Sequence, residues 1–354
     1  MKKIIVVIVV VLSCIQMNAQ TLTSVVYDKA TKQPVSGAYA YLNGTSIVGV
    51  TTNTGKFTLQ AKQIINTKLV LSHIAYNTIV IENPFIHLSD TIYMEEQANI
   101  LGEVIVHPDQ FSRRQKLRAF REQFLGMTPA GRSCRIVNED DINIWFQSST
   151  KTLFASSDKP IEVINEYLGY RVLFELVDFK VEYYNVTLNP NRTQLSYYAV
   201  TSMFADLSPD DTRLKRRRDN TYEVSSKNFF KNLAYNPLFR ADTLDAQPFR
   251  IYKNGDKLDI CSHFIIKDTL SLKSIYMPDA VLEKGNTNDY LLRITVSNRD
   301  SENPTVLHNS RISFFTNTLL VDQYGNIDQF DKVVFWGRMG LSRAGDMLPL
   351  DYEP

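Results

Sequence analysis

Short apolar alternations, each cut off by Pro, Gly or Asn, dominate the early part of the chain. Leu22–Asp28 alternates as a strand, Lys29–Pro34 is a polar connection, and Ala38–Leu42 alternates again. Asn43-Gly44 predicts a tight hairpin, because both residues of such a turn must accept positive φ. Ser46–Thr51 then returns as the partner strand. Asn53-Thr54-Gly55 turns into Phe57–Gln60, and Lys68–His73, Thr78–Glu82, Thr91–Met94 and Glu103–Val106 continue the series. Seven or eight short strands at this spacing, without a helical period, predict a small β-sandwich.

His107-Pro108 breaks the chain, and the pattern beyond it is mixed. Phe111–Leu125 places Leu117, Phe120 and Phe124 on one helical face, with Arg113, Arg114, Lys116, Arg118 and Arg121 around it. Gly126 and Pro129 end that helix. Ser208-Pro209-Asp210-Asp211 reads as a helix start, its carboxylates suited to the positive end of the dipole. One helix is predicted from there to about Tyr235, burying Tyr222, Phe229, Phe230 and Leu233, with Asn236-Pro237 as the stop. Tyr167–Tyr184 predicts one or two long strands, and Leu291–Asn298 and Arg311–Val321 are also β-type. The fold class is therefore mostly β: a sandwich followed by an α+β second domain of mixed sheet and helix.

The start of the chain sets its compartment. Met1–Lys3 is basic, Ile4–Leu12 is apolar and uncharged, and Ser13–Gln20 is polar and small. A membrane-spanning helix needs about 20 apolar residues, so this shorter run predicts a secretory signal peptide. Met17-Asn18-Ala19 places cleavage after Ala19, leaving Gln20 first. The rival reading, a lipoprotein box ending at Cys14, fits its flanks less well. The expected division is 1–19 signal peptide, 20–107 sandwich and 108–354 α+β domain. The expected location is the periplasm or the outer membrane, with peripheral association.

Composition narrows the partners. The 39 basic and 38 acidic residues give the chain no bulk pull toward nucleic acid. Eighteen Tyr and 19 Phe against 14 Gly favour aromatic-packed sheets. With Cys14 removed, Cys134 and Cys261 are left as one candidate disulfide, which needs Cα atoms within about 7 Å. Polar "GRSCRIV" around Cys134 and apolar "LDICSHFII" around Cys261 favour the alternative of one exposed and one buried thiol.

Candidate chemistry is sparse. None of His73, His87, His107, His263 and His308 has Glu at the third following position, so the zinc carboxypeptidase ligand motif is absent. Ser148-x-x-Lys151 and Ser156-x-x-Lys159 match the spelling of serine acyl-enzymes, but without the partner motifs they read as chance. No catalytic, cofactor-binding or metal residue is assigned, and no cofactor is expected. Lys215, Arg216, Arg217 and Arg218 form the one candidate site for an anion or partner. The plainer alternative is a solvated helix face paired with Asp210, Asp211, Asp219 and Glu223, where surface pairs contribute roughly 0–1 kcal/mol each. Trp145 and Trp336 could stack on sugars, though strand aromatics of this kind more often enter a core.

The series Val26-x-Asp28, Pro34-Val35-x-Gly37-Ala38, Gly44-Thr45 and Thr51-Thr52-Asn53-x-Gly55-x-Phe57-x-Leu59 resembles the carboxypeptidase-like regulatory domain. This transthyretin-like, Ig-type sandwich is widespread at the N-termini of exported Bacteroidetes proteins, and the resemblance spans roughly residues 21–96. Leu101–Val106 also resembles the segment that follows this domain in TonB-dependent outer-membrane receptors. A 22-stranded receptor barrel, at about 10 residues per strand, would nearly exhaust the 248 residues after Val106, so a receptor is not expected. Three further blocks resemble a second family of Bacteroidetes envelope proteins: Asn165–Val172, the Lys215–Arg218 helix ending in Asn228-Phe229-Phe230, and Asp346–Tyr352. That resemblance implies architecture and address, and no mechanism. The expected function is a non-enzymatic cell-envelope accessory that uses the sandwich as a docking or spacing module, its partner an envelope protein or glycan. The alternatives are an envelope hydrolase with a scattered site in 108–354, or a small outer-membrane barrel.

Overall fold

The computed structural model describes residues 20–97, 110–243, 247–269, 271–283, 291–299 and 307–354. The expected signal peptide, with Cys14 and the cleavage site after Ala19, lies outside the described residues, as does the expected strand Glu103–Val106. The described strands form five sheets around three hydrophobic cores, so the chain is mostly β with a mixed second part.

The first core lies between two sheets. Its strands are β1 (Gln20–Asp28), β2 (Tyr39–Leu42), β3 (Val48–Val50), β4 (Lys56–Ala61), β5 (Leu69–His73), β6 (Tyr76–Ile81) and β7 (Thr91–Met94). The sheet orders are β4-β1-β7, with β1 parallel to β7, and β3-β2-β5-β6. Period-2 alternation drives the packing: β4 exposes Lys56, Thr58 and Gln60 and buries Phe57, Leu59 and Ala61. The Asn43-Gly44 turn differs from expectation. Only Gly44 takes positive φ, 75°, and Thr45 N–H closes the turn on Leu42 O at 3.1 Å. This is type II geometry inside a wider loop, and the loop tip is occupied in docking on the second core.

That core is built on β8 (Cys134–Ile136), β9 (Ile142–Gln147), β10 (Thr152–Ser157), β11 (Ile161–Asn165), β12 (Tyr170–Tyr183) and β13 (Thr193–Asp206). The expected long strand is the single strand β12, paired along its length with β13 and bulged between Leu176 and Asp178. Helix Arg113–Phe124 covers one face, started by a Ser112/Gln115 capping box. Its Phe120 and Phe124 are fully buried, 4.7 Å from Phe179 and 5.2 Å from Phe174 between ring centroids.

The third core holds β14 (Arg250–Lys253), β15 (Asp256–Lys257), β16 (Ile265–Thr269), β17 (Leu272–Tyr276), β18 (Leu292–Arg299), β19 (Leu307–Phe314), β20 (Thr318–Val321) and β21 (Val333–Gly337). They form sheets β15-β14-β18-β19-β21 and β16-β17-β20. The single helix expected up to Tyr235 is two helices, Thr212–Glu223 and Ser226–Tyr235. Ser225 makes the break, donating to Tyr222 O at 2.6 Å and accepting from Asn228 N–H at 3.1 Å. The break lets the first half meet the second core through Leu214 and Arg218, while Phe229, Phe230 and Leu233 enter the third.

Candidate functional site

Four consecutive cations on a helix point in four directions, about 100° apart, and the Lys215–Arg218 run does so here. Arg218 is buried. Its guanidinium grips both oxygens of Asp206 at 2.6 and 2.8 Å, donates to Leu168 O at 2.7 Å, and lies 4.1 Å over the Tyr170 ring. Arg217 stacks 4.5 Å over Tyr167. Lys215 pairs with Asp219 at 3.0 Å, and Arg216 is exposed. The helix starts at Asp211, whose carboxylate caps Arg213 and Leu214 N–H. Arg218 is thus a tether between helix and sheet, and Lys215 and Arg216 are the outward-facing members of the run.

The blocks Asn165–Val172, Lys215–Arg218 with its helix, and Asp346–Tyr352 converge at one junction. Asn165 donates to Gly345 O at 2.8 Å, and Tyr352 OH donates to Asp219 at 2.5 Å. Lys227, on helix Ser226–Tyr235, donates to the carbonyls of Pro349, Leu350 and Tyr352 at 3.1, 2.8 and 3.0 Å. Burial pushes its pKa down to about 7 against the pull of Asp322 and Asp351, while the three carbonyl acceptors match the three hydrogens of an ammonium. Asp322 is fully buried, which raises its pKa, but it accepts from the N–H groups of Asn66, Tyr324 and Asn326 and from the Asn326 side chain.

Segment 344–353 runs across all three cores. Ala344, Met347 and Leu348 pack on the second core, Leu350 packs on the first, and Lys227 ties the segment to the third. Leu350 N–H donates to Gly44 O at 2.7 Å, and Asp351 accepts from Ser46 N–H and Oγ at 3.0 and 2.7 Å. The sandwich loop also meets β13 directly: Gly44 N–H donates to Ser202 O at 2.7 Å, and Asn43 Oδ1 accepts from Ser202 N–H at 2.8 Å. Tyr324, from beyond β20, completes the sandwich core. Nothing in the sequence singles out Lys227 or Asp322, since each has the look of an ordinary surface charge.

Among the described residues, Cys134 and Cys261 are both free. Cys134 is half-buried against the second core, its thiol donating to Ala130 O at 3.3 Å and pushed up to about 12 by burial. Cys261 is exposed beside the third core. The expected contrast of one buried and one exposed thiol is present in reversed form. Backbone folding around Ala130 hides Cys134, and the apolar neighbours Ile260 and Phe264 turn inward from Cys261.

Cys261 borders an open cleft of about 680 Å³, also lined by Arg240, Gln247, Arg250, Tyr252 and Lys257. Arg240 is held by Leu233 O and Ala234 O, both at 2.9 Å, and Lys257 pairs with Asp242. Both amide atoms of Gln247 are buried without a partner among the described residues. His263 Nδ1 lies 2.9 Å from Asp259 O and 3.0 Å from Ser262 Oγ. The cleft offers cations, an amide and the carboxylates of Asp242 and Asp259 to a polar ligand. The acyl-enzyme spellings are engaged elsewhere: Lys159 pairs with Asp141 at 2.8 Å, and Lys151 donates to Tyr184 O at 3.2 Å. Among the described residues no group of three or more His, Cys, Asp or Glu could hold a metal ion, and no helix is long and apolar enough to cross a membrane. No family model matches the chain, and no curated protein matches it.

Proposed function

We propose that the chain is a non-enzymatic accessory of the cell envelope, with its N-terminal sandwich, similar to a carboxypeptidase-like regulatory domain, as a docking or spacing module. The observation that carries this reading is where the recessed polar groups spend their hydrogen bonds. Lys227, Asp322 and Arg218 are engaged with the chain's own backbone and side chains at the junction. A catalytic cluster of perturbed groups would instead face a substrate cavity. The strands are divided among five small sheets, which supports a peripheral protein over a barrel, and the apolar start Ile4–Leu12 supports export. The hydrolase alternative draws less support, because His263 Nδ1 is engaged with Asp259 O and Ser262 Oγ while the Cys261 thiol donates to Arg240 O at 3.5 Å.

Fractionation of cells expressing the intact chain tests the proposal. The expected result is recovery of mature protein with the envelope and its release by high salt without detergent. Recovery in the cytoplasm, or release by detergent alone, would overturn it.

A further inference from the structure

The five-stranded sheet β15-β14-β18-β19-β21 has one face on the third core and one face open. On the open face the register aligns Tyr252 with Thr295, Thr295 with Arg311, and Arg311 with Trp336. Residues directly opposite in an antiparallel pair share a face, so these four form one row across four strands. Three strand spacings of about 4.8 Å make it roughly 14 Å long. Trp336 is 44% exposed, where a core position was the plainer expectation.

The charge on this face is one-sided. Arg250 lies two register pairs from Tyr252, and Arg293 two pairs from Thr295, so both are on the same side of the sheet as the row. None of the described positions on this face of β14, β18, β19 and β21 is a carboxylate; at its β15 edge Lys257, opposite Tyr252, is paired with Asp242. Arg250 and Arg311 are exposed and make no ion pair with the described residues. Such a bias stands out in a chain with 39 basic and 38 acidic residues. Between the arginines lie small polar groups, Thr295, Ser297 and Asn309, with Ser297 donating to Asn309 Oδ1.

We propose that this face binds an acidic polysaccharide carrying carboxylates, with Trp336 stacked on a sugar ring and Arg311 and Arg250 holding uronate groups. The chemistry matches in three respects. The C–H face of a pyranose is weakly positive and suits the negative face of an indole. A guanidinium fork matches a carboxylate in two-point fashion. Hydroxyl and amide side chains between them suit sugar hydroxyls. A single-stranded nucleic acid would also use aromatic and arginine groups. The choice of a glycan rests on the envelope reading above.

Affinity electrophoresis and calorimetric titration of the mature chain with oligogalacturonate test this. The expected result is saturable binding that is weakened by salt and lost when the same oligomer is carboxyl-reduced. Trp336→Ala and Arg311→Ala should each weaken binding by roughly tenfold or more, with unchanged melting because both side chains are exposed. No binding, equal binding of the reduced oligomer, unchanged affinity in both variants, or tighter binding of an oligonucleotide would each overturn the proposal. Failure here with envelope recovery intact leaves the proposed function standing, whereas cytoplasmic recovery removes that function whatever the glycan result.

Discussion

Lys227 brings an ammonium to a place where three carbonyl oxygens meet it. Lys227→Met keeps the stem but takes the lysine donor from Tyr352 O, while Leu350 O keeps Asn326 Nδ2–H at 3.1 Å and Pro349 O keeps Tyr352 N–H at 2.9 Å. With about 1–3 kcal/mol for one unsatisfied buried group, a loss of roughly 1–3 kcal/mol is expected, measured by urea unfolding. A smaller loss than 1 kcal/mol, on the order of a surface pair, would show that water replaces the lysine. The pH dependence has a definite sign. The folded chain releases this proton near pH 7, whereas an unfolded lysine keeps it to about pH 10.4. Between those values the unfolded state binds more protons, so stability rises with pH, and below pH 7 the contribution is flat at its lowest. Wild type should therefore gain on Lys227→Met between pH 7 and pH 10 and run parallel to it below. The thiols give a second residue-scale outcome. In unreduced native protein Cys261 should react quickly with a thiol reagent and Cys134 only on unfolding, since burial raises and shields it. A protein with no reactive thiol after unfolding would restore the disulfide.

At the scale of elements, local periodicity was legible wherever one face decides the structure. The alternation of Phe57, Leu59 and Ala61 located β4, and the spacing of Phe120 and Phe124 located the helix Arg113–Phe124. Features chosen by distant partners were not legible. Asn43-Gly44 carries the hairpin signal, yet its geometry answers to Ser202, about 160 positions away. The run to Tyr235 looks like one helix because the Ser225 break is needed only where two cores diverge. The basic run reads as a site because sequence cannot show Asp206 waiting for Arg218. Gly345 marks a close contact of this kind: a Cβ there would lie 2.5 Å from Gly131 Cα and 2.5 Å from Leu125 O. Backbone cannot yield as a side-chain tip can. Gly345→Ala should therefore cost about 1–3 kcal/mol, the usual range for overpacking, read as a lower melting temperature. An unchanged melt would mean that the segment docks less closely than this spacing requires.

For the molecule as a whole, segment 344–353, the sandwich loop and Lys227 join three cores that sequence reading divides into two domains. The second-domain region 108–354 contains two of those cores, and the sandwich borrows Tyr324 and Leu350 from it. Residues 20–97 alone should give a β-type spectrum but melt below the sandwich in the intact chain, having lost both side chains. The joined arrangement holds the open faces in fixed relation, as a spacing module requires. Calorimetry of the intact mature chain beside Lys227→Met tests that arrangement most directly. The expected result is one transition for the wild type, with calorimetric and van't Hoff enthalpies equal, and a split or broadened transition for Lys227→Met. Separate transitions in the wild type, or a Lys227→Met variant that still melts as one unit at the same temperature, would contradict it.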